Sequence, residues 1–145
     1  MARCKKDCGV KLVFCFSGKT FKGPIKELLD EYKKRISRYV PVEIIEAKTL
    51  KPQTRDGMHI VLSPDGRAMN SEGFAEILGQ TLTSGKKHLF FYTGGPTGFD
   101  SHLMETADLK LSLSTMTFNH QLIRAMLFEQ VYRAFTIINN EPYHK

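Results

Sequence analysis

The sequence predicts an α/β domain: a mainly parallel sheet of five to six strands flanked by helices. Three observations carry this. Short apolar runs recur at 12–16, 42–46, 58–62, 88–92 and 109–113. Stretches with apolar residues at helical spacing lie between most of them. That alternation is the pattern of parallel strands joined by crossover helices. The 145 residues suit one domain with a substantial core. The expected organisation is a flexible lead-in over 1–10 and a single domain over 11–145.

The lead-in is polar and offers nothing to bury. Leu12-Val13-Phe14-Cys15-Phe16 is apolar throughout, as expected of a strand covered on both faces. Phe21, Ile25, Leu28, Leu29, Tyr32 and Ile36 then mark an amphipathic helix over 21–37. Its other face carries Lys22, Lys26, Lys33, Lys34, Arg35 and Arg38, either a solvated face or a surface for RNA phosphate. The second strand, 42–46, leads into a polar, basic loop over 48–57. The third, 58–62, ends in a turn at Ser63-Pro64-Asp65-Gly66. Ser71 can cap a helix in which Phe74, Ile77, Leu78 and Leu82 share a face. The fourth strand, 88–92, runs into the Gly-rich turn Thr93-Gly94-Gly95-Pro96-Thr97-Gly98. A short helical stretch over 101–107 precedes the fifth strand, 109–113. After the polar loop 114–120, Leu122, Ile123, Met126, Leu127, Val131, Phe135 and Ile138 mark a last helix over 121–138.

Hydrophobic residues make up 41% and charged residues 25%, the balance of a soluble globular protein. No apolar run approaches the roughly 20 residues of a membrane span, and the N-terminus lacks the apolar core of a signal peptide. The net charge of +6 favours an anionic partner, of which nucleic acid is the commonest. Cys4 and Cys8 have no second ligand pair for zinc, and Cys15 sits inside a strand. The set reads as reduced thiols of a cytoplasmic protein without a metal.

Two loops stand out because each follows a strand and precedes a helical stretch, where open α/β sheets bind ligands. The first is the Gly-rich turn. Gly94, Gly95 and Gly98 allow close backbone approach, yet the turn has neither the GxGxxG spacing nor a Gly-Lys-Ser/Thr ending. The second runs through Leu113, Ser114, Thr115, Met116, Thr117 and Phe118 to His120.

Five motifs in one order carry a resemblance. They are Thr93-Gly94-Gly95-Pro96-Thr97-Gly98; Leu111-Ser112-Leu113-Ser114 with Thr117; His120-Gln121-Leu122-Ile123-Arg124; Glu129-Gln130-Val131-Tyr132-Arg133-Ala134; and Pro142-Tyr143-His144-Lys145. Together they resemble the bacterial RlmH family, densely from Thr93 to the C-terminus and more loosely before it. These are SPOUT-class enzymes that use S-adenosylmethionine to methylate a pseudouridine, at N3, in 23S ribosomal RNA of the large subunit. The 48–57 loop is shorter than the family's corresponding region, which holds a helix. The resemblance implies a C-terminal trefoil knot and a homodimer with its sites near the interface. It also implies that the donor lies against Leu62, Gly94 and the Leu113, Ser114, Thr115, Met116, Thr117 and Phe118 loop.

The acceptor nitrogen of a uracil-type ring carries an imide proton that must leave before its lone pair attacks. His144 and His120 are the candidates for taking it. Arg133 is the candidate for stabilising the developing anion, with Tyr143 orienting the base and Glu129 holding Arg133. A homodimer is also expected because Phe128, Tyr132 and Ile137 lie off the main apolar face of the last helix. The runner-up reading is a non-catalytic RNA-binding or ribosome-associated protein with the same fold. A phosphate-handling hydrolase is a weaker third, since no nucleophile or metal-ligand set supports it.

Overall fold

The structure, a computed structural model, describes residues 9–94 and 99–145. Most of the expected lead-in, with Cys4 and Cys8, and four residues of the Gly-rich turn (Gly95, Pro96, Thr97 and Gly98) lie outside the described residues. Val10, placed in the lead-in by its sequence, is buried in the core.

Five strands form one sheet in the order β2-β1-β4-β3-β5. They are β1 (Lys11–Ser17), β2 (Val42–Ala47), β3 (Met58–Ala68), β4 (His88–Thr93) and β5 (Leu109–Ser112). Every pairing is parallel, so the carboxyl ends of β4, β3 and β5 open at one edge of the sheet. The helices are α1 (Pro24–Ile36), α2 (Ser71–Leu82), α3 (Ser101–Thr106) and α4 (His120–Ile138).

The strand pleat splits the core in two. On one face Leu12, Phe14 and Phe16 pack with Phe91 and with the residues of α1, α2 and α4. On the other, Val13, Cys15, Phe90, Tyr92 and Val61 lie under Leu50 and Leu103. Burial of its thiol pushes the Cys15 pKa up to about 12.

Four sequence expectations are revised. Asn70, not Ser71, caps α2: its Oδ1 accepts from Gly73 N at 2.8 Å, while the Ser71 hydroxyl donates to Gln130. Phe128 does not project from α4 but seats against Phe14 at 4.3 Å between ring centres, fully buried. The apolar residues that do reach solvent are others. Leu28 and Leu122, assigned to buried faces by their spacing, are 45% and 46% exposed, and Phe21 is 65% exposed ahead of a helix that begins only at Pro24. The Ser63–Gly66 turn is a bulge within β3 rather than an end to it. Leu111 pairs with both Leu62 and Arg67, and the residues between loop out of register.

Candidate active site

A cavity of about 310 Å³ opens at the carboxyl ends of β3, β4 and β5. Six of the eight expected donor residues line it: Leu62, Gly94, Leu113, Ser114, Met116 and Phe118. Thr115 and Thr117 are not part of its lining and are exposed. The loop is shaped locally. Ser112 Oγ donates to Ser114 O at 2.8 Å, Ser114 Oγ accepts from Met116 N at 3.0 Å, and Asn119 Oδ1 caps α4 by accepting from Gln121 N at 2.8 Å.

The cavity suits a ligand that is apolar over most of its surface and polar at a few points. Leu62, Leu113, Phe118 and Ile123 supply apolar wall. Among the described residues Thr93 Oγ1 is buried without a hydrogen-bond partner, and Thr93 lines the same space, so this polar atom is placed to bond a ligand. Gly94 has no side chain to intrude, and among the described residues a carbon added there would meet the Phe99 ring first, at 3.4 Å. Thr93, Phe99 and Ile123 were not among the expected donor residues, because nothing short of the fold sets them around one hollow.

His120 also lines this cavity. Its ring meets Phe21 edge-on at 6.1 Å, and no hydrogen bond to the ring occurs among the described residues.

The other four candidates for chemistry gather elsewhere. Arg133 donates to Glu129 Oε1 from Nε at 3.0 Å and from Nη2 at 2.6 Å. Tyr143 Oη donates to the same oxygen at 3.1 Å, which leaves the Tyr32 hydroxyl to donate to Tyr143 at 3.3 Å. Arg133 also lies over the Tyr143 ring, 4.9 Å from its centre. The carboxylate beside it raises the Arg133 pKa further. Burial first, then the Tyr32 and Glu129 contacts, push the Tyr143 phenol well above its ordinary range, so it stays a donor.

His144 completes the group. Arg133 Nη1 lies 3.1 Å from His144 Nδ1, and a guanidinium only donates, so Nδ1 accepts. His144 Nε2 then donates to Glu72 Oε1 at 2.8 Å, and this bond holds the Glu72 pKa down. Both ring nitrogens are thereby engaged. The tail is therefore folded against α1, α2 and α4. Its partners Tyr32, Glu72 and Glu129 line a second cavity of about 610 Å³, which shares Leu111, Ser112 and Leu113 with the first. No spacing rule marks Tyr32 or Glu72 as partners of the tail, since they lie 111 and 72 residues from Tyr143 and His144.

Among the described residues no three His, Cys, Asp or Glu side chains come together as a metal site, and no helix is long and apolar enough to cross a membrane.

A parallel sheet with a cavity at its carboxyl ends, flanked by the loop before the last helix, has the architecture in which open α/β domains bind ligands. The family model for predicted SPOUT methyltransferases matches residues 10–144, and the chain belongs to that family, within its methyltransferase H group. It is 42% identical to the ribosomal RNA large subunit methyltransferase H of Coprothermobacter proteolyticus, across 88% of this chain and 94% of that one. It is 40% identical to the protein of the same name from Acetivibrio thermocellus, across 88% and 95%. A solved structure, a probable methylase family protein from Haemophilus influenzae Rd KW20, superposes with a TM-score of 0.60 at 11% identity, over 94% of this chain and 70% of that one, and shares the fold. Membership of a methyltransferase family implies a methyl donor.

Proposed function

We propose that this protein methylates 23S ribosomal RNA of the large subunit, at N3 of a pseudouridine, with S-adenosylmethionine as donor. The observation that carries the reading is the cavity at Gly94 and Leu113, joined to family relatives whose names state ribosomal RNA methylation. The C-terminal trefoil knot and a cytoplasmic location belong to the same reading.

When bound, the donor supplies an activated methyl group. The chain's own residues bind, orient and move a proton. Leu62, Leu113 and Phe118 would hold the apolar part, while Thr93 Oγ1 and the backbone at Gly94 are placed for polar contacts. His120 lines the cavity, and with no hydrogen bond to its ring among the described residues it can accept the imide proton at a ring nitrogen. His144 is poorly placed for that, since Arg133 occupies Nδ1 and Nε2 donates to Glu72. Arg133 has three of its five donors engaged by Glu129 and His144. The remaining two can face the carbonyl oxygens where negative charge develops. Glu129, Tyr143 and His144 fix the guanidinium in that pose.

Geometry also supports a homodimer. His120 and Arg133 stand at opposite ends of much of α4, about 20 Å apart at a rise of 1.5 Å per residue. One pyrimidine ring cannot touch both within a chain. A two-fold pair that sets one protomer's tail beside its partner's donor cavity would let both act on one base. The groove between α1 and α4, rimmed by Ile25, Leu28, Leu122 and Met126, is the face offered to a second copy.

Transfer of a tritiated methyl from S-adenosylmethionine to large-subunit RNA tests the function; the non-catalytic alternative predicts none. Arg133→Ala is expected to lose at least about tenfold in single-turnover rate, about 1.4 kcal/mol of barrier, with donor binding intact. A parent rate in that variant would remove Arg133 from the site. Mixing inactive Gly94→Val and Arg133→Ala protomers tests the shared site. Heterodimers should regain transfer, whereas a site contained in one chain predicts no recovery.

A further inference from the structure

The start of α4 does something the methyl-transfer reading leaves unexplained. Two side chains from its first turns, both buried, reach across to the loop between β1 and α1. Gln121 Oε1 accepts from Phe21 N at 2.9 Å, and Gln121 Nε2 donates to Lys19 O at 3.1 Å. Arg124 Nη2 donates to Ser17 O at 2.7 Å and Nη1 to Thr20 Oγ1 at 3.0 Å, while its guanidinium lies over the Phe16 ring at 4.7 Å. From the other side, Glu46 accepts from Thr20 N at 3.2 Å.

Holding the loop this way is expensive. Arg124 is 0% exposed, its Nε has no hydrogen-bond partner among the described residues, and desolvation lowers its pKa. A buried guanidinium with an orphaned donor stabilises little on balance. What it does here is fix one loop conformation, and that loop presents outward. Phe21 is 65% exposed, edge-on to His120 at the donor cavity. Lys19 and Lys22 flank it, both exposed, and neither makes an ion pair among the described residues. An exposed aromatic ring between two unpaired cations, held rigid beside a reaction centre, is the arrangement that stacks a base and takes its phosphates.

We propose that residues 19–22 form an RNA-contacting lip of the donor site, with Phe21 stacking on a base beside the acceptor and Lys19 and Lys22 on the flanking phosphates. The inference rests on the RNA-methylation reading. Gln121 and Arg124 are positioning residues in it, since they act on RNA only through the loop.

The test uses ribosomal particles that lack the methyl group as acceptor, with the full chain. Phe21→Ala is expected to raise the half-saturating particle concentration in single turnover by at least about fivefold, the low end for loss of one base–aromatic stack. Phe21→Trp should restore it. Donor affinity and sedimentation should match the parent in both. Lys19→Ala and Lys22→Ala should each flatten the dependence of log affinity on log salt by about 0.7. Unchanged half-saturation in Phe21→Ala would overturn the proposal. So would dissociation of a parent dimer by Phe21→Ala, which would assign the ring to a protein contact. A parent that transfers no methyl at all would instead bring down the reading beneath it, and the two failures are separable.

Discussion

Replacing Glu129 with alanine should release the C-terminal tail. Oε1 of this one residue accepts three hydrogen bonds, from Arg133 Nε, Arg133 Nη2 and Tyr143 Oη. A hydrogen bond to a charged group contributes about 1.5–3 kcal/mol when buried, and an exposed ion pair about 0–1 kcal/mol. The Arg133 and Glu129 side chains are 25% and 22% exposed, so this pair lies between those limits. The three bonds share one oxygen and do not add. The expected loss is about 2 kcal/mol, a fall of roughly 4–8 °C in melting temperature for a chain of this size. Glu129→Gln keeps an acceptor without the charge and should lose about half as much. Denaturant unfolding gives the stability, and amide hydrogen exchange over residues 139–145 reports the tail. A Glu129→Ala protein as stable as the parent, with unchanged exchange in that segment, would refute the cluster as the tail's anchor.

Three further outcomes follow from the same geometry. Gly94→Val should weaken S-adenosylmethionine binding at least about tenfold by calorimetry while shifting stability by less than about 1 kcal/mol, because the nearest described neighbour of a Cβ there is the Phe99 ring, at an ordinary contact distance of 3.4 Å; unchanged affinity in a folded variant would move the donor elsewhere. Gly66→Ala should cost about 1–3 kcal/mol, since its Cβ would lie 2.8 Å from the backbone of Leu111 and Lys110 and must push β3 from β5; an unfolding midpoint equal to the parent's would contradict that packing. His59, with Nδ1 2.7 Å from the Tyr92 hydroxyl, has its pKa lowered mainly by burial, against the raising pull of Asp108. The folded state thus binds this proton less readily than the unfolded chain, so its contribution is present above the unfolded value of about 6.5 and is lost as pH falls through the folded one. Denaturant midpoints at pH 7.5 and 5.5 should differ less in His59→Gln than in the parent, and an equal difference would remove His59 as the cause.

The sheet was legible because β1 and β4 are near-continuous apolar runs, buried as such runs require, and the edge strands β2 and β5 still carry branched or apolar residues between turn signals. Helix positions were legible to within a few residues for the same reason of periodicity. Faces were less so. Spacing alone assigned Leu28 and Leu122 inward, yet they rim an open groove, and it set Phe128 off the main stripe, where the Phe14 ring makes a place for it. Local hydrogen-bond competition decided between Asn70 and Ser71 as the cap of α2. In the candidate site, the loop over 113–118 is contiguous in sequence, and four of its six residues line the cavity. The tail cluster could be read only in part: Glu129 and Arg133 are a helical turn apart, but Tyr32 and Glu72 reach it from distant segments. The loop-holding role of Gln121 and Arg124 also depends on partners about a hundred residues away, which no spacing rule reveals.

The most direct test is where the methyl group goes. The purified protein, labelled S-adenosylmethionine and large ribosomal subunits lacking the modification should yield 23S RNA carrying one labelled methyl, which nuclease digestion and mass spectrometry place on N3 of a pseudouridine. Donor binding without any label entering the RNA would contradict methyl transfer and leave a SPOUT domain that binds RNA without modifying it.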